Sequence, residues 1–284
     1  TAHLAAVILT RAWTYAPDHV TRLLESEWKP RNDFDTQLWF LLQESSGWTA
    51  ELFDLAALVL KRTPVHGYHF HHMLSTLGAE QPDLALNLTV IKLDRDLAEA
   101  TDAALAQAPR QDSGNPREDV AWRLLHAPDR PITQLFESDE SWESLEALAR
   151  AHPKLFLDAL WPWFERVFAV LKQIKPGDPD ALGYPLNLLL DYRFDYEERL
   201  GLPETPILGA LRVAVEEAAA QSPDWFETWL DAHESEEAAP AQRLFAHAMA
   251  AQPKRFAAHA ARFMLGDRRR WLLGSIHDDT GTTT

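Results

Sequence analysis

The sequence predicts an all-α protein, a row of stacked antiparallel helical hairpins forming an α-solenoid of about 14 helices. Three observations predict it. Gly is scarce, at 11 in 284 residues, while Ala, Leu, Glu and Arg are abundant, a composition of good helix formers. Apolar residues recur at three- and four-residue spacing, and β-branched residues nowhere alternate as a strand requires. Five corners share one device: Ala16-Pro17-Asp18, Gln81-Pro82-Asp83, His152-Pro153-Lys154, Ser222-Pro223-Asp224 and Gln252-Pro253-Lys254. Proline lacks an amide hydrogen and fixes φ near the helical value, so it suits the first turn of a helix, while its ring drives the preceding residue out of the helical region.

Taken in order, residues 4–15 form a first helix with Leu4, Val7, Ile8 and Ala12 on one side, closed by Ala16-Pro17. Val20, Leu23, Leu24 and Trp28 mark the next. Residues 29–33 are a loop, with Asp33 the expected N-cap of a helix carrying Leu38, Trp39, Leu41 and Leu42. Ser45-Ser46-Gly47 breaks the chain before a helix over 48–62. Residues 68–77 lead to the Pro82 corner and a long helix toward Ala106. Loops follow at 109–116 and 175–184, the two weak internal boundaries of a single array over 1–284. Between them lie short helical pieces at 118–126 and 132–136, an acidic segment, and two helices meeting at Pro153. Pro185 opens a further helix, and residues 203–220 with 223–233, then 236–251 with 253–265, form the last two hairpins.

The corner prolines lie 65, 71, 70 and 30 residues apart, close to two, two, two and one repeats, with Trp48, Pro116 and Pro185 opening helices between. Three residues past each proline stand Val20, Ala85, Phe156, Phe226 and Phe256; seven past stand Leu24, Thr89, Leu160, Leu230 and Ala260. A hairpin of about 30 to 40 residues cannot bury its apolar side alone, so neighbours must stack, as in TPR-like and HEAT-like arrays. The competing reading is a non-repetitive helical bundle whose helices begin with proline.

A net charge of −16 repels phosphate backbones, so nucleic acid is not the expected partner. The exception is local: Lys254, Arg255, Arg262, Arg268, Arg269 and Arg270 gather near the C-terminus, as a solvated face or as a partner contact. Without cysteine there is no disulfide framework, thiolate metal site or Cys nucleophile. No apolar run is long enough to span a bilayer, and residues 1–13 lack a leader pattern, so the expected location is the cytoplasm, away from membranes. The ending in Asp278-Asp279-Thr280-Gly281 and three Thr suggests a piece of something longer.

His66, His69, His71 and His72 form the densest group of potential metal ligands. His69 and His72 share a helix face, and a third ligand would have to come from elsewhere, such as Asp54 or Asp83; the alternative is packed or exposed histidines at a corner. Glu137, Asp139, Glu140, Glu143 and Glu146 read as a solvated face or a dock for a basic partner. Asp191, Asp195, Glu197 and Glu198 with Tyr192 and Tyr196 suit a protein interface better than catalysis. The 11 Trp read as wedges between helices. No phosphate-binding glycine loop or nucleophile elbow is present, no catalytic residue is named, and no cofactor is expected.

Residues 147–156 (Ala-Leu-Ala-Arg-Ala-His-Pro-Lys-Leu-Phe), 242–253 (Gln-Arg-Leu-Phe-Ala-His-Ala-Met-Ala-Ala-Gln-Pro) and 263–270 (Phe-Met-Leu-Gly-Asp-Arg-Arg-Arg) resemble the C-terminal helical repeats of bacterial STAND NTPases that act as antiviral sensors. The resemblance covers about the second half of the chain and implies the sensor part alone, since the NTPase motifs are missing. It implies a module that binds a protein, such as a phage protein, with Tyr192, Asp195, Tyr196, Arg268, Arg269 and Arg270 as the partner-facing candidates. The alternative function is a metal-assisted hydrolytic enzyme on an all-α scaffold, working through His69 and His72. Oligomeric state is not legible.

Overall fold

The computed structural model describes residues 2–43, 45, 47–65, 67–106, 130–136, 143–174, 206–236, 238–267 and 270. Among them every regular element is helical: α1 (Ala2–Trp13), α2 (Pro17–Leu23), α3 (Asp35–Gln43), α4 (Ala50–Arg62), α5 (Gly67–Glu80), α6 (Pro82–Leu105), α7 (Arg130–Thr133), α8 (Glu143–Ala151), α9 (Pro153–Ile174), α10 (Pro206–Gln221), α11 (Pro223–His233), α12 (Ala239–Ala251) and α13 (Pro253–Gly266). The expected loops at 109–116 and 175–184, the piece at 118–126 and the helix opened by Pro185 lie outside the described residues. No described helix is long and apolar enough to cross a membrane.

The five proline corners form as their chemistry dictates. Ala16, Ser222 and Gln252, each just before a proline, share φ between −147° and −130° with ψ near 60°, out of the helical region. In every corner the carbonyl of the residue before the proline accepts the first helical hydrogen bond, from Val20, Ala85, Phe156, Phe226 and Phe256 at 2.9 to 3.1 Å. These are the residues three past each proline, and all five are buried. The corner thus fixes helix start and core anchor together. Of the residues seven past, Leu24, Thr89, Leu160 and Leu230 are buried and Ala260 is half-buried; the Thr89 hydroxyl donates to the Ala85 carbonyl at 2.9 Å, which satisfies it in the core.

Two compact units divide the chain, one of residues 1–96 and 140–148, the other of 97–139 and 149–284. The division falls within α6 and α8. In the first unit α3 packs against α1, α4 and α5, with α2 against α1. After α2 the chain continues through a π-helical turn, Leu24–Trp28, where the Lys29 amide donates to the Leu24 carbonyl at 2.7 Å. That turn seats buried Trp28 against Phe34, ring centroids 5.5 Å apart. Asp33 does not cap α3: residues 32–34 form a 3₁₀ turn leading straight into Asp35, and the Asp33 carboxylate instead takes the Arg31 guanidinium at 2.9 Å. Gly47, at φ 71°, makes the expected break, and Thr49 caps α4 by accepting from the Leu52 amide.

In the second unit α9 is the centre. Phe156, Leu157, Leu160, Trp161, Trp163, Phe164, Val167, Phe168 and Leu171 are all buried along it. Trp161 meets Phe164, Trp229 and Phe245 at centroid distances of 5.2, 4.8 and 5.4 Å, mostly edge to face, the arrangement aromatic quadrupoles favour. Its indole donates to Glu165, which also faces the His233 imidazole at 2.8 Å. The Ala-rich α10 packs against α9, α11 and α12, and α12 against α13.

Candidate functional site

Three places in the described residues depart from what packing alone requires. The first is the outer face of α1. Leu4, Ile8 and Tyr15 are 62%, 57% and 88% exposed, and with exposed Arg11 they stand at i, i+4, i+7 and i+11, one stripe along the helix and the turn after it. The helix instead buries Ala6 and Trp13 inward. Leu4 and Ile8, on the side that the sequence marks as apolar, therefore face outward. A Leu-Ile-Arg-Tyr row offers a partner helix both apolar area and the side chains that dominate interface energetics.

The second is a cavity of about 230 Å³ in the first unit, between the start of α3, the end of α4, the loop after it and α5. Its walls include Asp35, Gln37, Trp39, Phe40, Thr63, Val65 and His69. Asp35 is 2% exposed; one carboxylate oxygen accepts from the Thr63 hydroxyl at 2.8 Å, and the Arg62 guanidinium stands 3.7 Å from the other. Among the described residues, Asp35 Oδ1, Gln37 Oε1 and the Trp39 indole N–H are buried with no hydrogen-bond partner. Each such group ordinarily costs about 1 to 3 kcal/mol; all three belong to α3 residues that border the cavity, while the atoms themselves are sealed within the packing.

The third lies in the second unit, where α11, the loop after it and α13 meet. His259, 5% exposed, has Nε2 3.2 Å from Glu234 Oε2 and Nδ1 3.9 Å from Asp231 Oδ1; the three ligand atoms of such a group lie within 4.8 Å of one another, close enough for a cation. Arg262 stands 3.3 Å from Nδ1, bringing positive charge to the same place. Arg270 donates to the Gln242 side chain and to the Phe263 and Glu234 carbonyls, and lies 3.9 Å over the Phe263 ring. The Gln242 amide donates to the Glu234 carbonyl at 3.0 Å. This network binds the α11 end to α13, and its chemistry is that of a structural tie.

The residues singled out in the sequence fall unevenly across these places. His69 lines the cavity from an exposed position, His72, Asp54 and Asp83 are exposed as well, and the described group within metal-binding reach contains none of them. His71 faces the Ser144 hydroxyl at 2.7 Å. Arg270 has its donors engaged within the chain, and Arg255 bridges Asp224 and Glu227 at 2.6 and 2.9 Å. Tyr192, Asp195, Tyr196, Arg268 and Arg269 lie outside the described residues, as do Glu137, Asp139 and Glu140. Sequence reasoning missed the cavity. Its signal was Asp35, Trp39 and Gln43 at i, i+4 and i+8, polar or polar-tipped groups aligned on a helix that otherwise buries leucine.

No family model, curated protein or solved structure matches this chain.

Proposed function

We propose that this chain is a protein-binding helical-repeat module, the target-recognition region of a STAND-type NTPase in antiviral defence, and that the protein it grips is a phage protein. The observation that carries the reading is the α1 stripe of Leu4, Ile8, Arg11 and Tyr15, an apolar row that faces away from the core. A second helix laid along such a row fits ridges into grooves, and Tyr and Arg are the residues from which interface hot spots are made. The repeated proline corners support a hairpin scaffold of the kind that presents helix faces to proteins.

The test is co-expression of the chain with individually tagged phage proteins, followed by co-elution in size-exclusion chromatography. A specific phage protein co-elutes with the wild type, and Leu4→Glu/Ile8→Glu weakens the complex at least about tenfold, because two charges then enter an apolar contact. Retention of no phage protein, or equal retention by the double variant, would defeat the reading.

A further inference from the structure

The outward row on α1 specifies the chemistry of what covers it. Resting on the reading of α1 as a recognition face, we propose that the row takes an amphipathic α-helix whose apolar pair is followed, one turn further on, by an aspartate or glutamate that pairs with Arg11.

Shape selects a helix. From Leu4 to Tyr15 the row runs about 16 Å at roughly 1.5 Å per residue, the length of about three turns of a partner laid alongside. Half-buried Val7 and Ala12 flank it, so the apolar surface is a band and not a single knob. An extended strand binds through unpaired backbone N–H and C=O groups, and the side of a helix offers none. Leu4 and Ile8, one turn apart, form the ridge that an apolar pair on the incoming helix meets.

Charge selects the sequence of that helix. Arg11 stands one turn past Ile8 on the same row, and among the described residues its side chain has no ion-pair or hydrogen-bond partner. Its place in the last turn of α1 complements the helix dipole, which accounts for a cation there but not for the apolar residues beside it. A helix that covers the row strips water from the guanidinium, and a desolvated charge without a counterion is strongly unfavourable. A carboxylate opposite accepts two of its N–H donors in a fork and offsets that cost. A second copy of the chain does not supply one: Ala2–Trp13 contains no aspartate or glutamate, so pairing two α1 faces would desolvate two guanidiniums with no acid on either helix. A wholly apolar helix is rejected on the same ground, as an unpaired charge rejects any wrong partner. In a chain of net charge −16 the face is a local exception, so the acid is read at contact range, by its position and not by the partner's overall charge.

The experiment presents a displayed library of peptides about 20 residues long, enough to be helical alone, randomised along one face, to the full 284-residue chain. Leu4→Glu/Ile8→Glu serves as the comparison bait, with thermal unfolding confirming that each variant is folded. Helices retained by the wild type alone are expected to share two apolar residues a turn apart and an Asp or Glu one turn beyond. Exchanging that acid for its amide in one such peptide weakens binding about 10- to 100-fold in fluorescence anisotropy. Arg11→Glu, at an exposed position, loses the acidic peptide and binds its lysine counterpart, a rescue that a merely structural role for Arg11 would not give. Selected helices with no acid at that place, or equal affinity after the acid-to-amide exchange, would overturn the assignment. Protein recognition through α1 would then still stand, since co-elution of a phage protein decides it separately. Retention of no helix beyond what the double variant retains would also overturn the assignment, as would a dimer in sedimentation that the double variant abolishes, which would make a second copy the occupant.

Discussion

A single phenylalanine in this chain does two jobs at once. Phe226 donates the first hydrogen bond of α11, from its amide to the Ser222 carbonyl, and fills the core with its ring against Trp229 and Phe256 at 5.6 and 5.7 Å. Phe226→Ala keeps the amide and loses the ring, so the expected cost is that of a large-to-small core change, about 3 to 5 kcal/mol, read as a drop in the urea midpoint. Lys254→Ala, one residue after a corner proline and exposed, should stay within about 0.5 kcal/mol in the same assay. Titration gives a second case. The Arg31 hydrogen bond is the main cause that holds the Asp33 carboxyl below its usual range, and the same pair raises the Arg31 guanidinium. A depressed carboxyl contributes stability that is present above its unfolded pKa and is lost as pH falls through the folded value. Asp33→Asn should therefore lower the thermal midpoint slightly at pH 7, with the gap to wild type closing as the pH drops below about 4. Both groups are exposed, so the effect is small and shrinks with salt. A gap independent of pH would assign the loss to the 3₁₀ turn itself.

Elements were legible wherever a local rule decides them. A proline acts on its immediate neighbours, so its consequences at Pro82, Pro153, Pro223 and Pro253 can be read without knowing the fold. The π turn at Leu24–Trp28 could not be read that way, because it exists to bring Trp28 onto Phe34, a partner on the following turn. Asp33 failed as a cap for a related reason: Arg31, two residues earlier, competes for its carboxylate. The cavity was hidden because a void belongs to no segment; its walls come from α3, α4, α5 and a loop. The α1 face was half legible, since periodicity reports an apolar side but not whether that side meets its own core. One proline runs against the rule. Pro162 lies inside α9, on its exposed side, and leaves the Asp158 carbonyl without its helical donor. Pro162→Ala restores that donor and removes the ring clash, so it should stabilise by about 1 to 2 kcal/mol, less than the full proline penalty of about 3 because buried Trp161 and Trp163 are packed around the existing course of the helix. The urea midpoint reports it. A fall instead would show that the local shape imposed by Pro162 is needed to seat the two indoles.

For the molecule as a whole, charge is the dominant long-range fact. With 43 acidic against 27 basic residues, folding gathers like charges that the unfolded chain keeps further apart. Against this stand exposed ion pairs such as Lys29 with Glu25 and Arg255 with Asp224, which salt also screens. The two effects have opposite signs, and magnitude decides between them. An exposed pair is worth about 0 to 1 kcal/mol and is short-ranged, whereas the repulsion sums over every pair of excess charges within a Debye length, about 30 Å at 0.01 M and about 10 Å at 0.1 M. Raising NaCl from about 10 to about 300 mM should therefore raise the thermal midpoint, with KCl giving the same shift at equal ionic strength because screening does not depend on the cation. The excess charge also bears on partners. It predicts that a basic target protein would associate faster at low ionic strength. A midpoint that falls with salt would mean that the local pairs outweigh the net charge, and the acidic surface would then be a matched lattice of ion pairs instead of a field available to steer a partner.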